Sequence, residues 1–354
     1  MKKSLILLSV MALLTACKNQ SNSSETPSGT TEQTQLESND AADLAQNDSL
    51  TLSENTENVV SALSKNEDES YSFRFNLKQG ETYPFHLKIN QKQSMSAAGQ
   101  SMDISSSRTV DFDYLVQEVV GNKFKLKATF KSFGESFQAP TGETIAFHTS
   151  QAKPADKDVA ASWSIYKAIS GQSFQMEVDN QGRVLAVNGL DKVQNNAMSQ
   201  LKSQFNQEEQ TYIKGLLEAS LSNQAIQSQF EESLNIFPDR SLKIGEKWED
   251  SQNINEGPVK GNNRVTRTFE GIQDGKATIK VNGVQTVSGK ETKEGITATM
   301  KNDATITGTV ILDLESGWLN KVNVTKKETM STTYQQGDQK ETEKGTQTIV
   351  TTVN

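Results

Sequence analysis

Cysteine is all but missing from this chain: Cys17 is the single thiol in 354 residues. No intramolecular disulfide can form, so an oxidising compartment would add no covalent staple. Histidine is nearly as scarce. His86 and His148 are the only two, and neither has metal-ligand spacing or a nucleophile beside it in a recognisable motif. No metal, no cofactor and no catalytic residue are therefore expected. Aromatic residues make up 6% of the chain, which argues against a sugar-stacking cleft with the paired acids of a glycosidase. Basic excess is absent too. The net charge is −8, whereas a nucleic-acid partner would need a basic face. The glycines of "GPVKGNNR", Gly257 to Arg264, lack the spacing of a phosphate-cradling loop. No apolar run reaches the roughly 20 residues that span a bilayer.

What is present begins at the N-terminus. "MKKSLILLSVMALLTAC" has a short basic start, an apolar core and small residues before Cys17. That is the layout of a secretory signal over residues 1–16. "LTAC", Leu14 to Cys17, resembles the lipobox of bacterial lipoproteins, and the resemblance implies a lipid-bearing Cys17 after cleavage. Several acyl chains, at about 0.8 kcal/mol per buried methylene, would make a durable anchor. Residues 17–68 then read as a tether. From residue 18 to 68 there are ten acidic residues, two basic ones and no aromatic. Such a composition cannot bury enough apolar area to offset its ordering entropy, so disorder is expected. The tether carries a net charge of −8, and with Lys2 and Lys3 of the signal adding +2, residues 69–354 are left at −2, close to neutral.

From residue 69 the dominant period is two, the mark of half-buried antiparallel strands. Tyr83, Phe85, Leu87 and Ile89 alternate with polar residues, and Pro84 suggests an edge position. "VDFDYLV" and "KFKLKATFK" alternate more sharply. Pairing their apolar faces sets Val116 opposite Leu126, Tyr114 opposite Ala128 and Phe112 opposite Phe130. That register leaves a loop of Val120, Gly121 and Asn122, with Asn122 in the left-handed slot, and places Asp111 against Lys131. The lysine stripe Lys123, Lys125, Lys127 and Lys131 reads as a solvated sheet face, with contact to anionic lipid as the alternative.

The same hairpin returns. "FEGIQDGKATIKV" aligns with "VQEVVGNKFKLKA", setting Gly275 where Asn122 stands. "LKQGETY" (Leu77 to Tyr83) returns as "LKIGEKW" (Leu242 to Trp248), and "VDNQGRVLAVNG" (Val178 to Gly189) has an echo in "LDLESGWLNKVNV" (Leu312 to Val324). The echoes keep their order, which points to duplication. Between them, apolar residues every three or four positions predict helices over 190–236, with Asn206 and Glu209 forming a capping box. The fold expected is mainly β with a helical insertion: two related, curved, half-barrel-like antiparallel units at 69–189 and 237–354, with helices between.

The lipobox, the polar tether, the opening from Phe75 to Tyr83 and the "GWL" turn at Gly317 to Leu319 together resemble an uncharacterised lipoprotein family of Bacteroidota. The resemblance implies no activity and transfers no functional residue. It implies an outer-membrane anchor, and the absence of an acid directly after Cys17 favours a periplasm-facing one. Asp48-Ser49-Leu50 resembles the short O-glycosylation motif of that phylum, with Ser49 as acceptor. The leading functional expectation is a non-enzymatic, carrier-like lipoprotein whose concave face binds an apolar ligand or lipid. Phe112, Tyr114, Val116, Leu126 and Phe130 are the candidate ligand-facing residues. A structural scaffold that binds another envelope protein is the alternative, and a hydrolase a remote one.

Overall fold

The computed structural model describes residues 61–97 and 100–354. Strands account for 59% of it, in a large curved sheet that does not close into a barrel. A two-stranded ribbon comes first, β1 (Leu63–Lys65) with β2 (Tyr71–Phe73). The long strands follow: β3 (Thr82–Ala97), β4 (Gln100–Val120) and β5 (Lys123–Gln138), then the shorter β6 (Thr144–His148). Helix α1 (Lys157–Ile169) precedes β7 (Ser173–Asp179) and β8 (Val184–Asn188). Three helices follow, α2 (Leu190–Leu201), α3 (Gln207–Ser220) and α4 (Asn223–Leu234). The last strands are β9 (Lys247–Glu256), β10 (Val259–Gln273), β11 (Lys276–Lys293), β12 (Ile296–Asp313), β13 (Leu319–Gln336) and β14 (Gln339–Val353).

The twelve-stranded sheet runs β8-β7-β5-β4-β3-β14-β13-β12-β11-β10-β9, with β6 also on β5. Each half is a meander. β3-β4-β5-β7-β8 corresponds to β9-β10-β11-β12-β13, and β14 sits between β3 and β13 to make one sheet of both.

Backbone detail supports the duplication more firmly than the letters do. The β4-β5 and β10-β11 hairpins each carry a bulge at the aligned place, at Gln117 between Val116 and Glu118, and at Glu270 between Phe269 and Gly271. Each strand-launching turn then docks on the residue before that bulge. Gly80 N–H donates to Val116 O (2.9 Å) and Val116 N–H to Glu81 O (3.0 Å). Gly245 N–H donates to Phe269 O (2.7 Å) and Phe269 N–H to Glu246 O (3.0 Å). Both turn glycines hold positive φ, +83° and +90°, which an L side chain resists. The third echo is equivalent too, because Lys123 pairs with Asp179 as Lys276 pairs with Asp313.

The predicted cross-strand partners of β4 and β5 are all present: Phe112 with Phe130, Tyr114 with Ala128, and Val116 with Leu126. The loop differs. Val120 pairs with Lys123, leaving two turn residues, and Gly121 (φ +59°) takes the left-handed place rather than Asn122. The bulge at Gln117 absorbs the extra residue. In the second hairpin Asp274 and Gly275 both have positive φ, as a type I′ turn requires. A further bulge sets Asp111 opposite Ser132, so Lys131 bonds Asp113 (2.8 Å) and not Asp111. β3 is an interior strand, not an edge, but β14 pairs with it only from Leu87 onward, so Pro84 needs no donor on that side. Residues 61–68, read from composition as the end of the tether, are ordered. Ala62 and Leu63 are buried, and Leu63–Lys65 is strand.

One end of the sheet is packed solid. Phe73 and Phe75 lead in from β2 and meet Phe237, Phe269 and Trp318 at ring separations of 4.7–6.4 Å. The backbone here straps the halves together, since Phe75 N–H donates to Asn180 O (2.7 Å) and Asn76 N–H to Ser316 O (2.8 Å). The helices cover the inner face of the first unit. Asn206 and Glu209 form the capping box of α3, and Phe230 of α4 meets Tyr114 edge to face at 5.7 Å. α1 lies outside the predicted helical segment. It starts at Asp156, whose carboxylate accepts from the N–H groups of Asp158 and Val159, and it packs Tyr166 on Phe133 and Phe147.

Candidate functional site

Register turns the inner face of the sheet into levels, because directly paired residues point the same way. Just above the packed end lies an apolar level of Phe269, Ile279, Val310, Val322, Val353 and Leu87, on six successive strands from β10 to β3. The next levels carry Val281, Val324 and Ile89, then Val265, Ile306 and Ile349. Glycine stands among them at Gly308 and Gly283. A Cβ on Gly308 would come within 2.4 Å of Asn323 O, and one on Gly283 within 2.8 Å of Arg264 O. These glycines let adjacent backbones coil tightly without filling the interior.

The space so enclosed is a cavity of about 940 Å³, bounded by the second unit, β14, β3 to β6 and one side of α4. Ligand pockets run from about 300 to 1,000 Å³, so its size is at the upper part of that range. The packed aromatic end closes its floor. The opposite end holds the four hairpin tips that join β3 to β4, β9 to β10, β11 to β12 and β13 to β14, where Met95, Met102, Ile296 and Tyr334 are exposed.

The two levels above the floor are mixed: Arg267, Thr351 and Arg108 stand in register with Val281, Val324 and Ile89, and Lys326 and Gln91 with Val265, Ile306 and Ile349. The level above them is mostly polar. Gln252, Asn263, Gln285, Glu328 and Gln347 share a register across β9, β10, β11, β13 and β14, with Ala304 in the β12 position. Gln285 and Glu328 are buried. The side-chain oxygens of Asn263 and of Asn302, which sits one level further out, are buried without a hydrogen-bond partner among the described residues. Charge in the cavity is paired. Arg108 Nε donates to Glu135 (3.2 Å), as does the Tyr166 hydroxyl (2.9 Å). Lys326 bonds Glu328, and Arg267 bonds Asp250. Burial raises the Glu135 carboxyl above its ordinary value despite the opposing pull of Arg108 and Tyr166, and burial likewise raises the Tyr166 hydroxyl.

The residues first singled out fall elsewhere. Phe112, Tyr114, Val116, Leu126 and Phe130 share the inner face, but they are buried in the packed core. Phe112 and Tyr114 border a void of about 20 Å³ beneath α4, which is room for a water and not an acyl chain. Cys17 and Ser49 lie outside the described residues. His86 bonds Asp111 on the outer face, and His148 bonds Ser150 (2.6 Å). The lysine stripe is exposed and partly ion-paired, Lys123 with Glu177, Lys125 with Glu118 and Lys131 with Asp113. Among the described residues no group of three or more His, Cys, Asp or Glu is placed to hold a metal ion. The polar belt escaped sequence reading, yet a signal exists. Gln285 follows Ala277, Ile279 and Val281 in the apolar phase of its strand, and Lys326 and Glu328 follow Val322 and Val324 in theirs.

A family of unknown function, DUF6263, matches residues 121–319, more than half of the chain. The chain belongs to that family. No curated protein matches. Among solved structures, one titled for lipid–protein interactions in lipovitellin aligns with 77% of this chain and 25% of its own, at 8% identity and a TM-score of 0.33. The Pseudomonas aeruginosa protein OccK5 (OpdH) aligns with 77% of this chain and 98% of its own, at 6% identity and a TM-score of 0.22. Likeness at this level does not define a shared fold.

Proposed function

We propose that this chain is a non-enzymatic envelope lipoprotein that carries an apolar or lipid ligand inside its curved sheet. The observation that supports the reading is the cavity of about 940 Å³ with its apolar floor. An ordinary packed core leaves few voids larger than a water molecule. Cys17 at the end of a lipobox-like segment supports an anchor in the outer membrane, facing the periplasm. A scaffold role remains as a second reading, favoured by β9, whose outward edge has no partner strand among the described residues.

The test uses the full chain with Cys17→Ala, exported and purified without detergent, so that no added amphiphile fills the cavity. Native mass spectrometry should find a bound lipid, or the emptied protein should take up the apolar dye N-phenyl-1-naphthylamine. A protein that holds no lipid and admits no dye overturns the carrier reading. In wild-type cells labelled palmitate should enter the protein, and Cys17→Ala should abolish the label.

A further inference from the structure

We propose that the occupant is an amphiphile with an uncharged, hydrogen-bonding head, bound with its chain on the apolar floor and its head at the belt of Gln252, Asn263, Gln285, Glu328 and Gln347. The inference rests on the carrier reading and adds the chemical class of the ligand and its direction in the cavity.

Two properties of the lining lead there. The first is layering. From the level of Val310 and Val322 to that of Gln285 and Glu328 is three cross-strand levels. Two residues per level at about 3.4 Å each make roughly 20 Å along the strands. One leaflet of a bilayer, half of a hydrocarbon core about 30 Å thick, is about 15 Å deep. A chain of lipid length therefore covers most of the distance from floor to belt, and the head at its other end meets carboxamides. Carboxamides both donate and accept hydrogen bonds, and the buried oxygens of Asn263 and Asn302 have no partner among the described residues. Buried polar atoms are rarely left so. Hydroxyl or amide hydrogens of a ligand head would satisfy them.

The second is charge. The cations of the lining are Arg108, Arg267 and Lys326, and each is already bound to a carboxylate. The carboxylates are Glu135, Asp250, Glu328 and Glu231. An anionic head would find every cation of the lining already bound to a carboxylate. A cationic head would have to compete for Glu135, Asp250 and Glu328 with their bonded cations, while Glu231 accepts from Val184 N–H and Gln227. Burying a charge without a partner is strongly unfavourable. An uncharged head that hydrogen-bonds incurs no such penalty.

The experiment is displacement of N-phenyl-1-naphthylamine from the full Cys17→Ala chain at neutral pH by three ligands of one chain length: monomyristoylglycerol, myristate and myristylamine. Monomyristoylglycerol should displace the dye at a concentration about tenfold below either ion, the effect of one or two net hydrogen bonds. Asn263→Leu with Gln285→Leu should remove most of that advantage while the dye is still taken up, which also reports that the cavity is intact. A preference for myristate or myristylamine overturns the proposal, as does an unchanged monomyristoylglycerol advantage in the belt variant. In either case the dye still enters, so the carrier reading survives. If no dye enters, both fail together. Should the double variant not fold, Gln347→Leu alone applies the same criterion at the other side of the belt.

Discussion

Lys78 and Lys243 present the same backbone N–H at the same point of the repeated turn, and the two copies satisfy it differently. In the second copy Glu246 accepts it directly (2.8 Å) while Arg240 holds the carboxylate. In the first, Lys78 N–H donates to the Tyr83 hydroxyl (3.1 Å), which donates in turn to Glu81 (2.9 Å). Trp248 stands where Tyr83 does and has no acceptor to offer, so the glutamate must act alone. Burial pushes the Tyr83 hydroxyl up to about 12, so it remains a donor through the neutral range. Tyr83→Phe breaks this relay and should lower stability by about 1–3 kcal/mol, the cost of a donor left unsatisfied, read from the midpoint of urea unfolding. The Lys243 N–H and then Arg240 hold the Glu246 carboxyl below its ordinary value of 4.5. A lowered folded pKa gives stability that is complete above the ordinary value and is lost as pH falls through the folded one. The gap in unfolding midpoint between wild type and Glu246→Gln should therefore be open at pH 6 and close in strong acid. The heptad itself was legible in the sequence. Its docking bonds were not, because they run to Val116 and Phe269, the residues before the two bulges, about 25 to 35 positions away.

Elements were legible to the extent that their apolar faces are made of large side chains. The helices after residue 190 announced themselves through Val193, Ala197 and Leu201, and through Ile226, Phe230 and Leu234. α1 did not, since its buried face includes Ala160, Ser162, Ser164 and Ala168, small residues that carry no apolar stripe. The hairpin registers were readable because a slip of one residue would turn every apolar side chain outward. The bulges were not, because a bulge and a longer loop use the same number of residues. Among the turn glycines, those at the packed end have the closest neighbours. Gly317 has φ +74°, and a Cβ there would lie 2.6 Å from Arg74 O and 3.1 Å from the Ala62 side chain. Gly317→Ala should cost more than about 1 kcal/mol, a lower limit for alanine at positive φ, and should loosen the 61–76 segment in hydrogen exchange. Gly80→Ala meets open space, so only its φ resists, and its loss should be smaller.

At the scale of the whole molecule the cavity was not legible as a place. Alternation says which residues face inward, not where facing residues fail to fill the space. Phe112, Tyr114, Val116, Leu126 and Phe130 belong to the half where helices and aromatic rings fill it. The other half has Gly283 and Gly308 on the same face, with no helix spanning all of its strands, and there the interior stays open. The joint between the halves is β14, which bonds β13 from Val322 to Gln336 and β3 from Leu87 to Ser96. Deleting residues 339–354 would expose two long strand edges at once. The truncated chain should aggregate on purification and fail to bind N-phenyl-1-naphthylamine, whereas the full chain should unfold in one cooperative step.

The position of β14 also sets the order of assembly. It is synthesised after every strand it joins, and its partner β3 lies more than 250 residues earlier, as Leu87 pairs with Val353. Pairing across such a separation is slow, because the loop must close before its contacts form. Until then Leu87, Val322 and their neighbours line two open sheets rather than one chamber. On the carrier reading proposed above, loading would wait until β14 has paired, and before that the inner surface is open to water, to chaperones and to its own kind.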